Sequence, residues 1–121
     1  MKKVLIIEDE EHIAEGEKLV LQGKFKVFTA ENGSEGLAKA SRLRPDVILL
    51  DIMLPHMSGY EICQKIRDDK NLSNVKIVMV TSKSAPEDED IGIDLGADDY
   101  IMKPFEPDEL LHVINQVLKK R

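Results

Sequence analysis

The sequence predicts an α/β fold, a doubly wound, five-stranded parallel sheet in the order 2-1-3-4-5 with helices on both faces. Three observations carry that prediction. Short apolar runs such as residues 4–7, 47–50 and 77–80 have the unbroken hydrophobic character of strands buried on both sides. Each run is followed by a stretch with helical periodicity, so that five strand–helix units alternate along 121 residues. The connections are short, with no internal repeat or linker-like tract, which selects right-handed crossovers. Of the two usual doubly wound orders, five strands fit 2-1-3-4-5, whose reversal lies between strands one and three.

The first strand, residues 4–7, ends on Glu8 and Asp9. The helix after it, over about residues 10–22, takes Ile13, Val20 and Leu21 into its apolar face, with Asp9 placed to cap it and Gly23 to close it. Residues 25–29 alternate apolar and polar side chains, as a half-covered edge strand does. Asn32 followed by Glu35 resembles a capping box, and Leu37, Ala38, Ala40 and Leu43 form the buried side of the second helix as far as Pro45. The third strand, 47–50, runs into Asp51 and then a loop through Met53, Leu54 and Pro55.

Ser58 and Glu61 form a second capping box, flanked by Met57 and Ile62 as a hydrophobic staple, and Ile62, Cys63 and Ile66 face the core. The fourth strand, 75–80, terminates at Thr81 and Ser82. Residues 86–95 carry Glu87, Asp88, Glu89, Asp90 and Asp94 around Ile91, Ile93 and Leu95, with Gly92 in the middle. A central glycine costs about 1 kcal/mol relative to alanine, so this is expected to be the least stable helix, its acids mostly a solvated face. The fifth strand, 100–102, leads to Lys103-Pro104-Phe105. The last helix starts at Glu106 with Pro107 in its first position, and Leu110, Leu111, Val113, Ile114, Val117 and Leu118 make one apolar stripe.

Composition narrows the function. A chain of 121 residues is one domain, 1–121, large enough to hold a core without staples. A net charge of −6 argues against nucleic-acid binding by this domain, because such surfaces carry a basic patch. The single cysteine, Cys63, cannot form an internal disulfide and falls at an apolar helical position, so a buried free thiol in a reducing compartment is expected. The apolar run at 4–7 is too short for a signal peptide or a membrane span, which predicts a cytoplasmic protein with no membrane partner.

The polar residues that end the strands carry the chemistry. Taken singly, Asp9 and Asp51 read as caps or loop acids, Thr81 as a cap and Lys103 as a solvated lysine. The fold, however, brings Glu8, Asp9, Asp51, Thr81 and Lys103 to one sheet edge, the edge where ligands bind in open α/β sheets. Three clustered carboxylates repel one another unless a cation sits among them, and oxygen ligands without nearby histidine or thiolate point to Mg²⁺. His12, His56 and His112 fall on helix or loop positions without ligand spacing and read as surface residues. Glu8, Asp9 and Asp51 set against Mg²⁺ and Lys103 leave the site near neutral, so a phosphate donor can approach. Asp51, alone at its strand end, is then the natural nucleophile on phosphorus, with Thr81 hydrogen-bonding the arriving group.

Glu8-Asp9 after the first strand, Asp51 with Leu54-Pro55 and Gly59, Thr81, and the run from Gly96 to Phe105 together resemble the receiver domain of two-component response regulators, a flavodoxin-like fold of the chemotaxis-regulator kind. The resemblance covers the whole chain. It implies a phosphorylation-activated switch in which Asp51 accepts a phosphoryl group from the phosphohistidine of a sensor histidine kinase. It further implies Mg²⁺ bound by Asp9, Asp51 and the Met53 backbone carbonyl, with Glu8 acting through water, and a phosphoryl contact from Lys103. The Lys103–Pro104 bond is expected to be cis. Thr81 and Tyr100 resemble the switch pair that remodels the face made by the helix over 86–95, the fifth strand and the last helix, for an unknown downstream effector.

Two groups of positions depart from the common pattern of that family. Ser82 stands where a smaller residue is frequent, and Met53 and Lys83 occupy flanking positions that influence how long the acyl phosphate lasts. Glu89 and Val113 replace the basic residues that pair across the dimer of winged-helix members, so a phosphorylation-dependent dimer would draw on Asp98, Asp99, Lys119 or Arg121. Other classes fit less well. A stand-alone phosphorelay shuttle uses the same site, and the domain is expected to catalyse only its own phosphoryl transfer and autodephosphorylation. A haloacid-dehalogenase-type phosphatase needs a second acid two residues after its nucleophile, where this chain has Met53. A flavodoxin-like nucleotide binder wants a glycine- or hydroxyl-rich loop where Glu8 to Glu11 lie.

Overall fold

The computed structural model describes residues 1–81 and 95–120. In chain order these form β1 (Lys3–Ile7), α1 (Glu11–Leu21), β2 (Lys26–Ala30), α2 (Gly33–Leu43), β3 (Val47–Asp51), α3 (Gly59–Asp68), a 3-10 turn (Lys70–Leu72), β4 (Lys76–Thr81), β5 (Asp99–Met102) and α4 (Pro107–Lys119). The strands pair in parallel in the order β2-β1-β3-β4-β5, as the alternation predicts. The helix expected over 86–95 lies, apart from Leu95, outside the described residues, as do Ser82, Lys83, Glu89 and Arg121.

Strand alternation divides the interior into two cores, one on each face of the sheet. Val4, Ile6, Val47, Leu49, Val78, Val80 and Ile101 pack with Ala14 and Leu21 of α1 and with Leu110, Ile114 and Val117 of α4. Leu5, Ile7, Ile48, Leu50, Ile77 and Met79 pack on the other side with Ala40 of α2 and with Ile62, Cys63 and Ile66 of α3. β3 is buried at every position, which explains its unbroken apolar run. Cys63 is a buried free thiol, as expected.

Several local expectations are corrected. Helix α1 begins at Glu11 after Glu10, and no side chain caps it, so Asp9 is not its cap. Its buried residues are Ala14, Glu17 and Leu21, whereas Ile13 and Val20 are only partly covered. Gly23 does not close the helix in a left-handed turn, since Gln22 is its right-handed C-cap. In α2, Asn32 caps by accepting from the Glu35 amide at 2.9 Å, but Glu35 Oε1 takes the Glu31 amide and not that of Asn32. Its buried side is Gly33, Gly36 and Ala40, and Ala38 is exposed. β2 is shifted by one residue from 25–29 because Lys3 pairs with Lys26 and Ile7 with Ala30, leaving Phe25 buried in the turn before it.

At α3, Ser58 Oγ accepts the Glu61 amide at 3.2 Å, which is the N-cap half of the expected capping box, and no return bond from the Ser58 amide to Glu61 accompanies it. Pro107 opens α4 as predicted, and there the Glu106 amide donates to Glu109 Oε1 at 3.1 Å.

Two close approaches hold the strand ends in place. A Cβ on Gly59 would lie 2.6 Å from the Asp51 carbonyl oxygen and 2.7 Å from Ile52 Cα, so only glycine lets α3 begin against the end of β3. The Gly59 amide donates to the Ile52 carbonyl at 2.9 Å, and the Ile52 amide donates to Val80 O at 3.0 Å. At the opposite end of the sheet, Arg67 donates to Gly96 O (2.8 Å), Val75 O (2.7 Å) and Asp98 Oδ2 (2.8 Å), joining α3 to the entrances of β4 and β5.

Candidate functional site

Continuing the alternation past the strand ends places the site. Residues 4 and 6, 47 and 49, and 101 face the α1/α4 side of the sheet, and the parity carries Glu8, Asp51 and Lys103 to that same side. The ladder extends far enough for this. The Glu8 amide donates to Ala30 O at 3.0 Å, and the Lys103 amide donates to Thr81 O at 2.7 Å. The Lys103–Pro104 peptide is cis.

At that edge Lys103 Nζ lies 2.9 Å from Glu8 Oε1 and 3.4 Å from Asp51 Oδ2. Glu8, Asp51 and Thr81 are buried, at 3%, 5% and 5% exposure. Asp9 is exposed and opens onto an acidic cleft of about 240 Å³ lined also by Glu11, Glu15 and Glu31. Asp51 Oδ1 accepts the Met53 amide at 3.0 Å, which fixes one carboxylate oxygen and leaves Oδ2 toward Lys103. Met53 itself is exposed. Tyr100, paired with Met79 across the ladder, is half-buried against the α2/α3 core and so lies on the other face of the sheet from Lys103.

Burial pushes the Glu8 carboxyl up to about 7, against the pull of its hydrogen bond to Lys103, and the charge of Asp51 adds to the rise. Burial works the other way on the Lys103 ammonium, but the hydrogen bond to Glu8 and the charge of Asp51 outweigh it and hold its pKa above the ordinary lysine value. Lys103 is therefore a paired cation and not the solvated loop lysine of the simpler reading.

Glu8, Asp9 and Asp51 each offer a carboxylate oxygen within 4.8 Å of the others. A donor set made only of carboxylate oxygens fits a hard divalent cation, whose charge would offset both the burial that chiefly raises Glu8 and the smaller push from Asp51. None of His12, His56 and His112 joins the cluster, and all three are exposed.

Residues 4–115 match the response regulator receiver domain family. The chain belongs to that family. As a receiver domain it is part of a two-component signalling system and works as a phosphorylation-activated switch. It is 40% identical to the DNA-binding response regulator MtrA of Mycolicibacterium smegmatis over 120 residues, 98% of this chain and 51% of MtrA. The chain thus spans about half the length of that relative.

Among solved structures, the chemotaxis protein CheY4 of Vibrio cholerae superposes with a TM-score of 0.93 at 36% identity, over 97% of this chain and 98% of CheY4. The receiver domain of the sensor histidine kinase PA1611 of Pseudomonas aeruginosa, which has a magnesium ion coordinated in its active-site cleft, superposes with a TM-score of 0.90 at 27% identity, over 98% of both chains. Among the described residues, no helix of this receiver is long and apolar enough to cross a membrane.

The strand-end residues singled out from sequence are thus brought to one edge, with Tyr100 on the opposite face of β5. One residue escaped that reading. Glu17 is 4% exposed on the core side of α1, and both its carboxyl oxygens are buried without a hydrogen-bond partner. Burial pushes its carboxyl up to about 8, the charge of Glu8 adds to the rise, and Lys103 pulls against it. The signal was the spacing Ala14-Glu17-Leu21, which puts the acid in the middle of a buried helical stripe.

Proposed function

We propose that residues 1–121 act as a single receiver domain in which Asp51 is the phosphoacceptor. What carries this reading is the Lys103 ammonium bridging Glu8 and Asp51 at the carboxyl edge of the sheet, in a chain of the receiver family. Asp51 Oδ2 attacks the phosphorus of a phosphohistidine on a sensor histidine kinase. The new O–P bond forms as the P–N bond breaks, and the leaving imidazole keeps the electron pair. Asp51 Oδ1 stays on the Met53 amide, so the attacking carboxylate does not rotate freely. Lys103 follows the developing charge onto the transferred phosphoryl oxygens, and Thr81, buried at the end of β4, hydrogen-bonds them.

Glu8, Asp9, Asp51 and the Met53 carbonyl would hold Mg²⁺, as the PA1611 receiver holds magnesium in its cleft. When bound, Mg²⁺ supplies the positive charge that lets a phosphate donor approach three carboxylates. Thr81 and Tyr100, on adjacent strands, form the switch pair that hands the signal to the face containing β5 and α4, and from there to a downstream effector outside this chain. The single cysteine, buried and without a disulfide partner, is in keeping with a reducing, cytoplasmic setting.

Incubation with acetyl phosphate and MgCl₂ tests the reading. The intact mass is expected to rise by about 80 Da, one phosphoryl group, and EDTA is expected to abolish the rise. An unchanged mass, or an adduct indifferent to EDTA, would overturn it.

A further inference from the structure

Glu17 sits at a point that needs explaining. It belongs to the stripe Ala14-Glu17-Leu21 that α1 lays on the sheet, and that side of the sheet is the one to which Glu8, Asp51 and Lys103 project. The charges of Glu8, Asp51 and Lys103 all reach its carboxyl, which is therefore on the same side of the sheet as the ion-paired group and within its electrostatic range. Ala14 and Leu21, on either side of it in the stripe, belong to the apolar core built with Val4, Ile6, Leu49 and Val80 from the strands and Ile114 and Val117 from α4. An acid with two buried, unpartnered oxygens is costly there.

Lys103 has the complementary difficulty. Its two partners, Glu8 and Asp51, are two of the three carboxylates in the cation-binding set. A cation that draws on both leaves the ammonium, four-fifths buried, without an acceptor until a phosphoryl group arrives. We propose that Glu17 is the buried reserve partner of Lys103, a positioning residue that receives the ammonium when Glu8 and Asp51 turn to a divalent cation. This rests on the metal-dependent reading above. It makes Glu17 part of the site's resting state, because Lys103 then competes less with the cation for its ligands and remains close to Asp51.

Calorimetric titration of the protein with MgCl₂ alone tests this in five proteins, namely the wild type, Glu17→Leu, Glu17→Gln, Lys103→Met and the double variant. Glu17→Leu is expected to weaken Mg²⁺ binding by about tenfold, the size of one net hydrogen bond to a charged group. Glu17→Gln, which keeps a carbonyl oxygen to accept from the ammonium, is expected to recover most of that loss. In a Lys103→Met background, Glu17→Leu is expected to change Mg²⁺ affinity less than twofold, since there is no ammonium to receive.

An equal loss with and without Lys103 would overturn the proposal, because a general effect of charge or packing does not depend on that side chain. Unchanged affinity in Glu17→Leu, with the wild type binding Mg²⁺, would overturn this inference alone. Failure of the wild type to bind Mg²⁺ would overturn the metal-dependent reading and this inference with it.

Discussion

Lys103 Nζ lies 2.9 Å from Glu8 Oε1, at the ends of two strands separated in the sheet by β3 and β4. The pair closes over Asp51, which ends the strand beside β1, so the acceptor carboxylate is approached by one cation and neighboured by one acid. Removing the cation leaves buried carboxylates facing each other. Lys103→Met is expected to lower stability in metal-free buffer by about 1–3 kcal/mol, and Mg²⁺ to restore part of it. Urea denaturation with and without MgCl₂ measures both effects, and a variant as stable as the wild type without metal would contradict the pairing.

Glu17 makes stability depend on pH in a stated direction. Its carboxyl titrates at about 8 when folded, against 4.5 for an unperturbed glutamate, so the unfolded chain gives up this proton first as pH rises. This group's contribution is therefore most favourable below about pH 4.5 and is lost progressively as pH climbs toward 8. Glu17→Leu is expected to be more stable than the wild type at pH 7 by about 2–3 kcal/mol and to show a flatter profile between pH 5 and 8 (about one pKa unit being worth 1.4 kcal/mol). Parallel pH profiles for the two proteins would show that Glu17 does not titrate in this range.

The Arg67 fork predicts a large local effect far from the site. It satisfies two backbone carbonyls and the Asp98 carboxylate, which also accepts the Ile77 amide at 2.8 Å. Arg67→Leu is expected to cost about 2–4 kcal/mol, and Arg67→Lys to recover little, since a single ammonium cannot reproduce three fixed N–H directions. Thermal denaturation separates these outcomes. Recovery by lysine would mean that charge, not geometry, carries the contact.

Gly59 connects the fold to the site. A methyl group there meets the backbone of Asp51 and Ile52 at 2.6 and 2.7 Å, so the start of α3 or the end of β3 must move. Gly59→Ala is expected to lose about 1–3 kcal/mol and to weaken Mg²⁺ binding, whereas Gly23→Ala, with nothing within 4 Å of its Cβ, leaves both unchanged. Denaturation and calorimetry on the two variants test the contrast.

What could be read from sequence follows from which interactions are local. β3 was legible because a strand buried on both faces leaves an unbroken apolar run, and Glu8, Asp51 and Lys103 were legible because each interrupts or follows such a run at its carboxyl end. Strand parity then predicts that the three share a side, which the ion pairs bear out. Glu17 was not legible, because one acid on a helix rich in Glu reads as solvated until the buried stripe is known. Arg67 and Asp98 were not legible either, since they meet only when the end of α3 reaches the entrance of β5, 31 residues further on. Asp9 as a helix cap failed for a local reason, namely that α1 starts one residue later than a cap at position 9 requires.

The central claim is that Asp51 is where phosphorus is bound. Treatment with acetyl phosphate and MgCl₂, followed by borohydride, reduces an aspartyl phosphate to homoserine, and sequencing of the resulting peptides by mass spectrometry locates it. The account predicts homoserine at position 51 in the wild type and none in Asp51→Asn. Homoserine at Asp9, no reduced residue at all, or labelling that survives in Asp51→Asn would contradict it.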